Sequence, residues 1–393
     1  MRGLSSPKTI LVRAPNWIGD QILAYPFFHH LRESFPQAKI SVACASWVQS
    51  IQFKNCVDQV FVLPQPREKT FLGRWEALNL GAQVIQEQGP WDLGFSLPNS
   101  FSSAWFLWRS RVRVRVGYAT EGRSLLLTHA FKPSSEASMH RSQAYLSLLA
   151  AAVPQAHWGP AEKFWGVPPV NELDPGVPGV LSEFDASRAW GESDILEPPV
   201  GPYWVLAPGS QAASRRWPGD SFAALAQLIA SECNPLGGAN FPGLVVGGAS
   251  EMDMALEWAQ DKKLNLQDWT ARGTPASYWK VFRNAQFAVC NDSGLAHLSA
   301  LCGTKTHIVW GAGSPGVTEP IGPGQVQISM NPVACWPCQK NQCLLPASRN
   351  LECLRGIYAD VVWNEIRTGF RIPKGERASF SLSVPAHLTG NPC

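Results

Sequence analysis

The chain alternates short runs of β-branched and aromatic residues with longer segments whose apolar residues recur at helical spacing. In the first half, this pattern predicts strands at 9–13, 39–43, 59–63 and 92–96 and helices at 18–35 and 74–88. Short strands that alternate with helices at this rhythm are typical of parallel βαβ units. The first half therefore predicts an α/β domain built on a parallel sheet.

The same alternation begins again after about residue 202. It predicts strands at 203–207, 243–246, 286–290 and 306–310 and helices at 218–231, from Glu251 onward and at 293–301. Pro218 is expected in the first turn of its helix, where a missing N–H costs nothing. A second αβ domain follows from this repetition.

The stretch between the two halves differs in composition. Residues 153–202 are enriched in Pro, Gly and acidic residues and predict an irregular connection. We therefore predict an α/β protein whose two domains face one another across a cleft. The expected bounds are 1–195 for the first domain with its connection, 196–370 for the second, and 371–393 for a weakly structured tail rich in Ser, Pro and Gly.

The composition suits two folded domains. Of 393 residues, 45% are hydrophobic and 16% charged, which favours a sizeable core over disorder. A net charge of +3 gives no basic field of the kind that nucleic-acid binders carry, but it leaves contact with an acidic membrane face open. The start of the chain lacks the order of a secretion signal, and no run reaches the ~20 apolar residues of a membrane span. A cytoplasmic location is expected.

Four cysteines crowd into one short segment: Cys335, Cys338, Cys343 and Cys353. Their spacing is not that of a common zinc finger, and no His lies among them. Without an export signal, disulfides are not the default. A structural zinc site, one or two disulfides and reduced thiols all stay open; a structural role of some kind is favoured, whereas a bound metal is not.

Ligands of open α/β sheets bind beyond the carboxyl ends of the strands, so residues at those ends are candidates for a site. The first strand runs into Pro-Asn-Trp-Ile-Gly-Asp, which places Asp20 at or just inside a helix N-terminus. Asp20 either caps that helix or projects into the cleft as a general base. The G-x-G-x-x-G fingerprint of dinucleotide-binding folds is missing from this turn.

The strand that ends at Ala207 is followed by a loop, 208–218, that contains Ser210, Arg215 and Arg216. Loop amides, a hydroxyl and two guanidiniums would together cradle a diphosphate, because Arg makes bidentate contacts with phosphate oxygens. The alternative is a surface loop with solvated arginines.

The strand that ends near Cys290 runs into Asn-Asp-Ser-Gly-Leu-Ala-His. Asp292 or Ser293 is placed to cap the next helix, and the free amides at the start of that helix favour binding of an anion. His297 shares a face with Ser293 and is either structural or functional. In the same domain, Glu251 is placed to accept hydrogen bonds from the two hydroxyls of a ribose. The alternative is that this turn is only a helix start, with a capping box formed by Ser250 and Asp253.

In order along the chain, these motifs resemble the ADP-heptose:lipopolysaccharide heptosyltransferases, inverting enzymes with two Rossmann-like domains in the GT-B arrangement. The resemblance extends from Ile10 to about Ile357. Its carriers are the 10–20 segment, Leu-Pro-Asn-Ser-Phe at 97–101, the 208–218 loop and, most specifically, Asn-Asp-Ser-Gly-Leu-Ala-His at 291–297. The first motif is closer to the type that adds the second heptose.

The resemblance implies a role for each matching residue. Asp20 would be the general base that deprotonates the acceptor hydroxyl, and Asp292 would orient the donor heptose. The remaining implied donor-site residues are Ser210, Arg215, Ser293 and Gly294 at the diphosphate, Glu251 near the ribose, and His297 in support of its turn. Residues implied on the acceptor side are Asn99, Ser100 and Arg123.

The resemblance also implies the partners: ADP-L-glycero-D-manno-heptose as donor and the lipid A-core oligosaccharide as acceptor, at the inner face of the inner membrane with peripheral membrane contact at most. One departure is Arg215, where the family commonly has Lys; the charge is kept but the compact ammonium is not. No Asp-x-Asp metal motif is present, so no cofactor is expected to be required, and Mg²⁺ would only stimulate. The alternatives are a GT-B transferase for another nucleotide sugar and a noncatalytic relative that binds nucleotide or glycan.

Overall fold

Twelve β-strands in the described residues form two six-stranded sheets, and every strand pair is parallel. The structure is a computed structural model that describes residues 7–132, 139–152, 181, 184–192, 194–233 and 241–370. The first sheet consists of β1 (Thr9–Arg13), β2 (Lys39–Cys44), β3 (Gln59–Val62), β4 (Leu93–Ser96), β5 (Val114–Tyr118) and β6 (His129–Phe131). The second consists of β7 (Trp204–Ala207), β8 (Gly243–Val245), β9 (Leu266–Asp268), β10 (Ala288–Asn291), β11 (Thr306–Trp310) and β12 (Val326–Met330).

The two sheets have the same topology. The strand order is β3-β2-β1-β4-β5-β6 in the first and β9-β8-β7-β10-β11-β12 in the second. In each, the order reverses beside the first strand of the domain, and this switch point is where the loops leave room for a ligand. The predicted α/β class with two parallel sheets is confirmed.

Helices connect and cover the strands. They are α1 (Ile18–Leu23), α2 (Tyr25–Ser34), α3 (Phe71–Glu87), α4 (Phe101–Arg109), α5 (Arg141–Ala152), α6 (Ala186–Trp190), α7 (Gly219–Glu232), α8 (Met252–Gln260), α9 (Trp279–Asn284), α10 (Gly294–Leu301), α11 (Pro315–Thr318), α12 (Glu352–Arg355) and α13 (Ala359–Gly369). Because helices lie on both faces, the central strands are largely apolar: Ile10, Leu11 and Val12 of β1 are fully buried. No described helix is long and apolar enough to cross a membrane.

Two helix predictions differ from the structure. The single helix expected at 18–35 is two helices that join at Ala24, with Pro26 in the first turn of α2. Proline lacks an N–H and clashes with the preceding turn, so it is tolerated there but not inside a continuous helix. Pro218 occupies the N-cap position of α7 rather than its first turn.

The chain changes domain close to the predicted boundary at 195. Before it, α6 packs on the first domain, where the amide of Lys54 donates to Ala189 O at 2.8 Å and its ammonium to Trp190 O at 2.9 Å. After it, the amide of Leu196 donates to Ser277 O in the second domain at 2.9 Å. Most of the predicted connection, 153–180, and the predicted tail, 371–393, lie outside the described residues.

The four-cysteine segment lies against the second domain. Cys335, Cys338, Cys343 and Cys353 are all free thiols, so the disulfide alternative is wrong. With Ser214 they line one small cavity, where burial and the charges of the other three thiols raise the pKa of Cys353. The amide of Ser214 donates to Asn341 O at 3.2 Å. The segment therefore supports the loop that carries Arg215.

The core of the second domain generates a stability prediction. Phe222 of α7 is fully buried, and its ring meets the ring of Trp217 edge to face at a centroid distance of 4.9 Å. Phe222→Ala should lower the free energy of unfolding by about 3–5 kcal/mol, because the close-packed core cannot collapse into the cavity. Urea denaturation followed by tryptophan fluorescence measures the loss. The matched control is Phe71→Ala, at a side chain that is 78% exposed, which should stay within about 0.5 kcal/mol. Equal losses in the two variants would contradict the assignment.

Candidate active site

The N-terminal ends of α1 and α10 meet where the two domains face one another. A Cβ added to Gly19 would lie 2.7 Å from Cδ2 of His297, and one added to Gly294 would lie 2.6 Å from Cβ of Ile18. Both distances are shorter than any real contact, so only glycine allows this approach. The contact places the Asp20 turn of the first domain directly against the 291–297 turn of the second.

Asp20 is the third residue of α1 and does not cap it. Trp17 occupies the N-cap position, and no side chain makes a capping hydrogen bond there. The carboxylate is half-buried and lies 3.7 Å from Nε of Arg141. Burial raises the pKa of Asp20, while the charges of Arg141 and Arg215 oppose that rise. The helix-cap interpretation is wrong, and a carboxylate with a raised pKa at a domain interface is a candidate general base.

Asp292 and Arg215 form the charged centre of the site. Arg215 Nη1 lies 3.2 Å from Oδ2 of Asp292, whose side chain is only 3% exposed. Burial raises the pKa of Asp292 to about 6, against the attraction of Arg215 and with a smaller upward contribution from Asp20. Although the two charges are close, Oδ2 accepts no aligned hydrogen bond in the described part of the chain. The charges of Arg215 and Asp292 thus balance each other, but Oδ2 of Asp292 still lacks a hydrogen bond within the described part of the chain.

Several other buried polar atoms around this pair also lack a hydrogen-bond partner among the described residues. Buried polar groups in proteins are nearly always hydrogen-bonded, so a group of exceptions needs an explanation. Their residues lie around the contact between the Asp20 turn and the Asp292 turn, where a bound polar ligand would supply the missing partners. The atoms are Arg141 Nε, Arg215 Nε, Asp292 Oδ2, Ser293 Oγ, His297 Nδ1 and Trp310 Nε1.

Hydrogen bonds tie the 208–218 loop to the Asp292 turn. Ser210 Oγ donates to the carbonyl oxygen of Asp292 at 3.0 Å. The carboxamide of Asn291 accepts from the amide of Trp217 at 3.0 Å and donates to Pro208 O at 2.5 Å. Asn291 therefore fixes both ends of the loop. The hydroxyl proton of Ser210 is engaged within the protein, and a direct contact between Ser210 and a diphosphate stays a prediction.

The two arginines of the loop have different positions. Arg215 points inward to Asp292, whereas Arg216 is exposed and donates from Nε to Ser210 O at 2.6 Å. The predicted cradle therefore has one inward guanidinium, supplemented by the amides at the start of α10. Ser293 is the N-cap residue of α10, but its side chain makes no capping bond. Its hydroxyl and the first amides of the helix stay available to an anion.

Glu251 lies against the same loop. Its carboxylate accepts from the amide of Gly248 at 2.8 Å and from Ser250 Oγ at 2.6 Å. A Cβ added to Gly209 would lie 2.9 Å from its carboxyl carbon. The capping box expected from Ser250 and Asp253 is wrong, because the reciprocal pair in the structure joins Gly248 to Glu251. The ribose contact of Glu251 stays a prediction.

His297 is a neutral, buried imidazole. Burial, with smaller contributions from His140 and Arg215, lowers its pKa to about 3. It therefore carries no proton charge near neutral pH and does not act there as a cationic acid. Its ring packs on Gly19, and its Nδ1 has no partner among the described residues. The packing on Gly19 supports the structural interpretation, and a functional role for His297 stays a prediction.

The predicted acceptor residues lie on two segments of the first domain, one after β4 and one after β5. Asn99 is exposed, and Ser100 is the N-cap of α4, where it accepts from the amide of Ser103 at 3.4 Å. Arg123 is fully buried instead of facing the cleft. Its guanidinium donates to Asn99 Oδ1 at 3.2 Å and to Ser103 Oγ at 2.9 Å. Arg123 thus holds the loop that presents Asn99 and Ser100, and its predicted place at the acceptor is corrected.

Two residues of the site were not predicted. Arg141, the first residue of α5, reaches Asp20 only through the tertiary structure, and nothing in its sequence context indicated this. Trp310 ends β11 next to β10, and its Nε1 lies 3.0 Å from the Cβ position of Gly313, which in turn is 2.5 Å from Oδ2 of Asp292. Its place at a strand end was a usable signal.

Comparison with known proteins gives a consistent family. A model described as glycosyltransferase family 9 (heptosyltransferase) matches residues 81–234 and 274–348. The lipooligosaccharide heptosyltransferase 2 of Haemophilus ducreyi is 23% identical over 335 residues, which are 82% of this chain and 88% of that protein. The lipopolysaccharide heptosyltransferase 2 of Escherichia coli K12 is 24% identical over 319 residues, 79% of this chain and 85% of that protein.

Solved structures agree in fold. The Escherichia coli ADP-heptose lipopolysaccharide heptosyltransferase II superposes with a TM-score of 0.64 at 19% identity, covering 92% of this chain and 98% of that one. A family 9 glycosyltransferase from Veillonella parvula gives 0.67 at 16% identity, with 92% and 97% covered. The predicted pair of Rossmann-like domains in the GT-B arrangement is confirmed.

The raised pKa of Asp292 generates a pH-dependent prediction. In the folded protein the pKa of Asp292 is about 6, above its unfolded value. The folded state therefore loses stability as pH rises between the two pKa values, because it must give up a proton at a buried site. Asp292→Asn should therefore raise Tm at pH 8 relative to the unchanged protein and give little or no gain at pH 4. Asp253→Asn, at an exposed first-turn position of α8, should give no such gain. Thermal unfolding of all three proteins at both pH values tests this, and an equal gain at pH 4 would contradict it.

Proposed function

The chain belongs to glycosyltransferase family 9, the heptosyltransferase family, and on that premise we propose that it transfers heptose from ADP-L-glycero-D-manno-heptose to the inner core of lipopolysaccharide. The names of its relatives, lipopolysaccharide and lipooligosaccharide heptosyltransferase 2, support this choice of sugar and acceptor. The observation that carries the proposal is the set of unsatisfied polar atoms at and near Asp20, Arg215 and Asp292, at the contact between the domains.

The second domain supplies the donor side in this proposal. Arg215 and the free amides at the start of α10 would hold the diphosphate and stabilise the negative charge that develops when it leaves. Their effect is large because the surroundings are buried and have a low dielectric constant. These fixed positive groups would serve without a required metal ion, and Mg²⁺ would act only as a stimulant. Asp292, next to Arg215, would accept hydrogen bonds from hydroxyl groups of the heptose.

The first domain supplies the base. Asp20 would take the proton of the acceptor hydroxyl as its oxygen attacks the anomeric carbon, on the face opposite the departing ADP. The raised pKa of Asp20 suits this step, because a base of very low pKa gains little from proton transfer. Arg141 keeps the carboxylate oriented and ionised enough to act. Closure of the two domains would exclude water and so protect the donor from hydrolysis.

Asp20→Asn tests this mechanism. The variant should lose transfer by roughly 10²–10⁴-fold, because the amide cannot accept the proton. Its affinity for ADP, measured by calorimetry, should change little, since the diphosphate cradle belongs to the other domain. Asp220→Asn, which changes another first-turn aspartate, should keep full activity. Full activity of Asp20→Asn would remove Asp20 from the base role.

A panel of nucleotide sugars separates the alternatives. A donor that binds the folded protein raises Tm by an amount that grows with the logarithm of its concentration relative to Kd. Stabilisation by a different nucleotide sugar would favour a GT-B transferase with another donor. Stabilisation without any product from the purified protein would favour the noncatalytic relative.

We also propose that the protein works at the cytoplasmic face of the inner membrane, where it contacts lipid through an aromatic surface on α3 and α4. The rings of Phe71, Trp75, Trp105 and Trp108 follow one another at centroid distances of 6.3, 5.0 and 4.8 Å. Phe71 and Leu72 are 78% and 69% exposed. Tryptophan and phenylalanine at a protein surface favour the boundary between lipid headgroups and acyl chains.

The charges around this aromatic surface fit an anionic membrane. In the two segments that carry these rings, 67–76 and 105–113, five cationic side chains are exposed against two acidic ones, Glu68 and Glu76. Each cation near anionic lipid contributes about 1 kcal/mol. The surface also leads to the acceptor loop, because α4 begins directly after Ser100. The cations are Arg67, Lys69, Arg74, Arg111 and Arg113.

Vesicle sedimentation tests this contact. The protein should bind phosphatidylglycerol vesicles, bind phosphatidylcholine vesicles weakly, and be released by high salt. The double variant Phe71→Ser, Leu72→Ser should bind severalfold less. Leu256→Ser, at an exposed apolar residue of the second domain, should bind normally. Unchanged binding of the double variant, or dimerisation through this surface without lipid binding, would overturn the proposal.

A further inference from the structure

Two tryptophans are exposed beside the candidate base. Trp17 is 57% exposed and Trp47 49% exposed, although indole rings usually find cover because of their large apolar area. Most other tryptophans of known exposure, such as Trp204 and Trp310, are buried in the core. Exposed aromatic rings in this position need a reason.

Topology places both rings at one edge of the first sheet. Trp17 follows β1 and directly precedes α1, three residues before Asp20. Trp47 lies in a 3₁₀ turn, Ser46–Val48, that follows β2. Because β1 and β2 are parallel neighbours, their carboxyl ends meet at the same edge. This edge is the ligand-binding edge of such a sheet.

Hydrogen bonds fix Trp47 to the loop that carries Trp17. Trp47 Nε1 donates to the carbonyl oxygen of Asn16 at 2.6 Å. The side-chain oxygen of Asn16 in turn accepts from Nη2 of the buried Arg13 at 2.6 Å. The indole N–H of Trp47 is thus hydrogen-bonded within the protein. The two faces of the ring are apolar and need no hydrogen-bond partner. The arrangement is built before any ligand arrives, which reduces the entropic cost of binding.

We infer that Trp17 and Trp47 form the acceptor subsite, on which a sugar ring of the acceptor rests its apolar face. A pyranose ring presents a face of C–H groups whose positive edges meet the negative face of an indole. A ring held here would direct a hydroxyl toward Asp20, which lies three residues beyond Trp17. The donor nucleotide is not the occupant, because its cradle lies on the second domain around Arg215 and Asp292.

This inference rests on the proposed function, since it assigns the acceptor of that reaction to particular residues. Steady-state kinetics with a lipid-free inner-core oligosaccharide tests it and removes membrane binding from the measurement. Trp17→Ala and Trp47→Ala should each raise KM for the acceptor by about 2- to 10-fold, the range expected for one lost aromatic contact. KM for ADP-heptose and the affinity for ADP should stay the same.

Two further variants separate stacking from structure. Trp47→Phe keeps an aromatic face but loses the hydrogen bond to Asn16, so it should raise the acceptor KM less than Trp47→Ala. Tyr358→Ala changes an aromatic residue of the second domain that is 65% exposed and should leave both KM values unchanged. An unchanged acceptor KM in both alanine variants, or a rise in donor KM alone, would overturn the subsite.

A binding measurement separates failure of the subsite from failure of the proposed function. Without donor, the oligosaccharide should change the tryptophan fluorescence of the unchanged protein, and the change should shrink in Trp17→Ala and Trp47→Ala. If binding follows this pattern but no heptose is transferred, the subsite stands and the proposed reaction fails. If heptose is transferred and all variants bind the oligosaccharide equally, the reaction stands and the subsite fails.

Discussion

The contact between the first turns of α1 and α10 is the constraint on which the site depends. Each helix brings a glycine to the contact, and each glycine faces a side chain of the other domain: Gly19 faces His297 and Gly294 faces Ile18. A Cβ at either position would come within 3.0 Å of the opposing side chain, so a larger residue would force the two turns apart. Asp20 and Asp292 belong to different sheets, and they affect one another's electrostatics only because this contact is so close.

The same closeness has a cost in stability. Burial opposes the negative charge of Asp292, and burial also keeps His297 neutral. In addition, several buried polar atoms lack hydrogen-bond partners within the described chain. Such destabilising features are found at sites where a ligand binds them. Packing elsewhere in the fold must offset the stability that they cost. The fully buried strands β1, β7 and β10 do so. Rigid strands next to an unsatisfied site are a sound basis for catalysis, because the polar groups need not reorganise when charge develops.

Much of this structure could be predicted from the sequence, and the failures have physical causes. The central strands were predicted because burial on both faces makes them continuous apolar runs. Strands β5, β6, β9 and β12 were missed, since strands at or next to a sheet edge, such as the half-exposed β12, mix polar and apolar residues. Asp20, Arg215 and Asp292 were found because each follows a strand. Arg141 was not, because only tertiary packing brings it to Asp20.

Arg123 shows the opposite failure: a residue assigned by resemblance to the acceptor proves to be a buried support for the loop that carries Asn99. A charged residue in a family motif can be retained for the hydrogen bonds it makes within the fold. Sequence cannot distinguish the two uses, because both require the same guanidinium. Its buried position decides between them here, since the side chain is fully buried and each of its three nitrogens donates to an acceptor within the first domain.

The two domains share one strand order yet present different surfaces to the cleft. The second domain buries its charges, because a leaving diphosphate is stabilised best by fixed dipoles and cations in surroundings of low dielectric constant. The first domain keeps Trp17, Trp47 and Asn99 exposed. An acceptor far larger than the donor must enter and leave from solvent, so its site has to be open, and stacking on aromatic faces binds sugar rings without deep burial. The repeated topology thus supplies the same switch point twice, and the burial of the residues placed there decides which half of the reaction each domain serves.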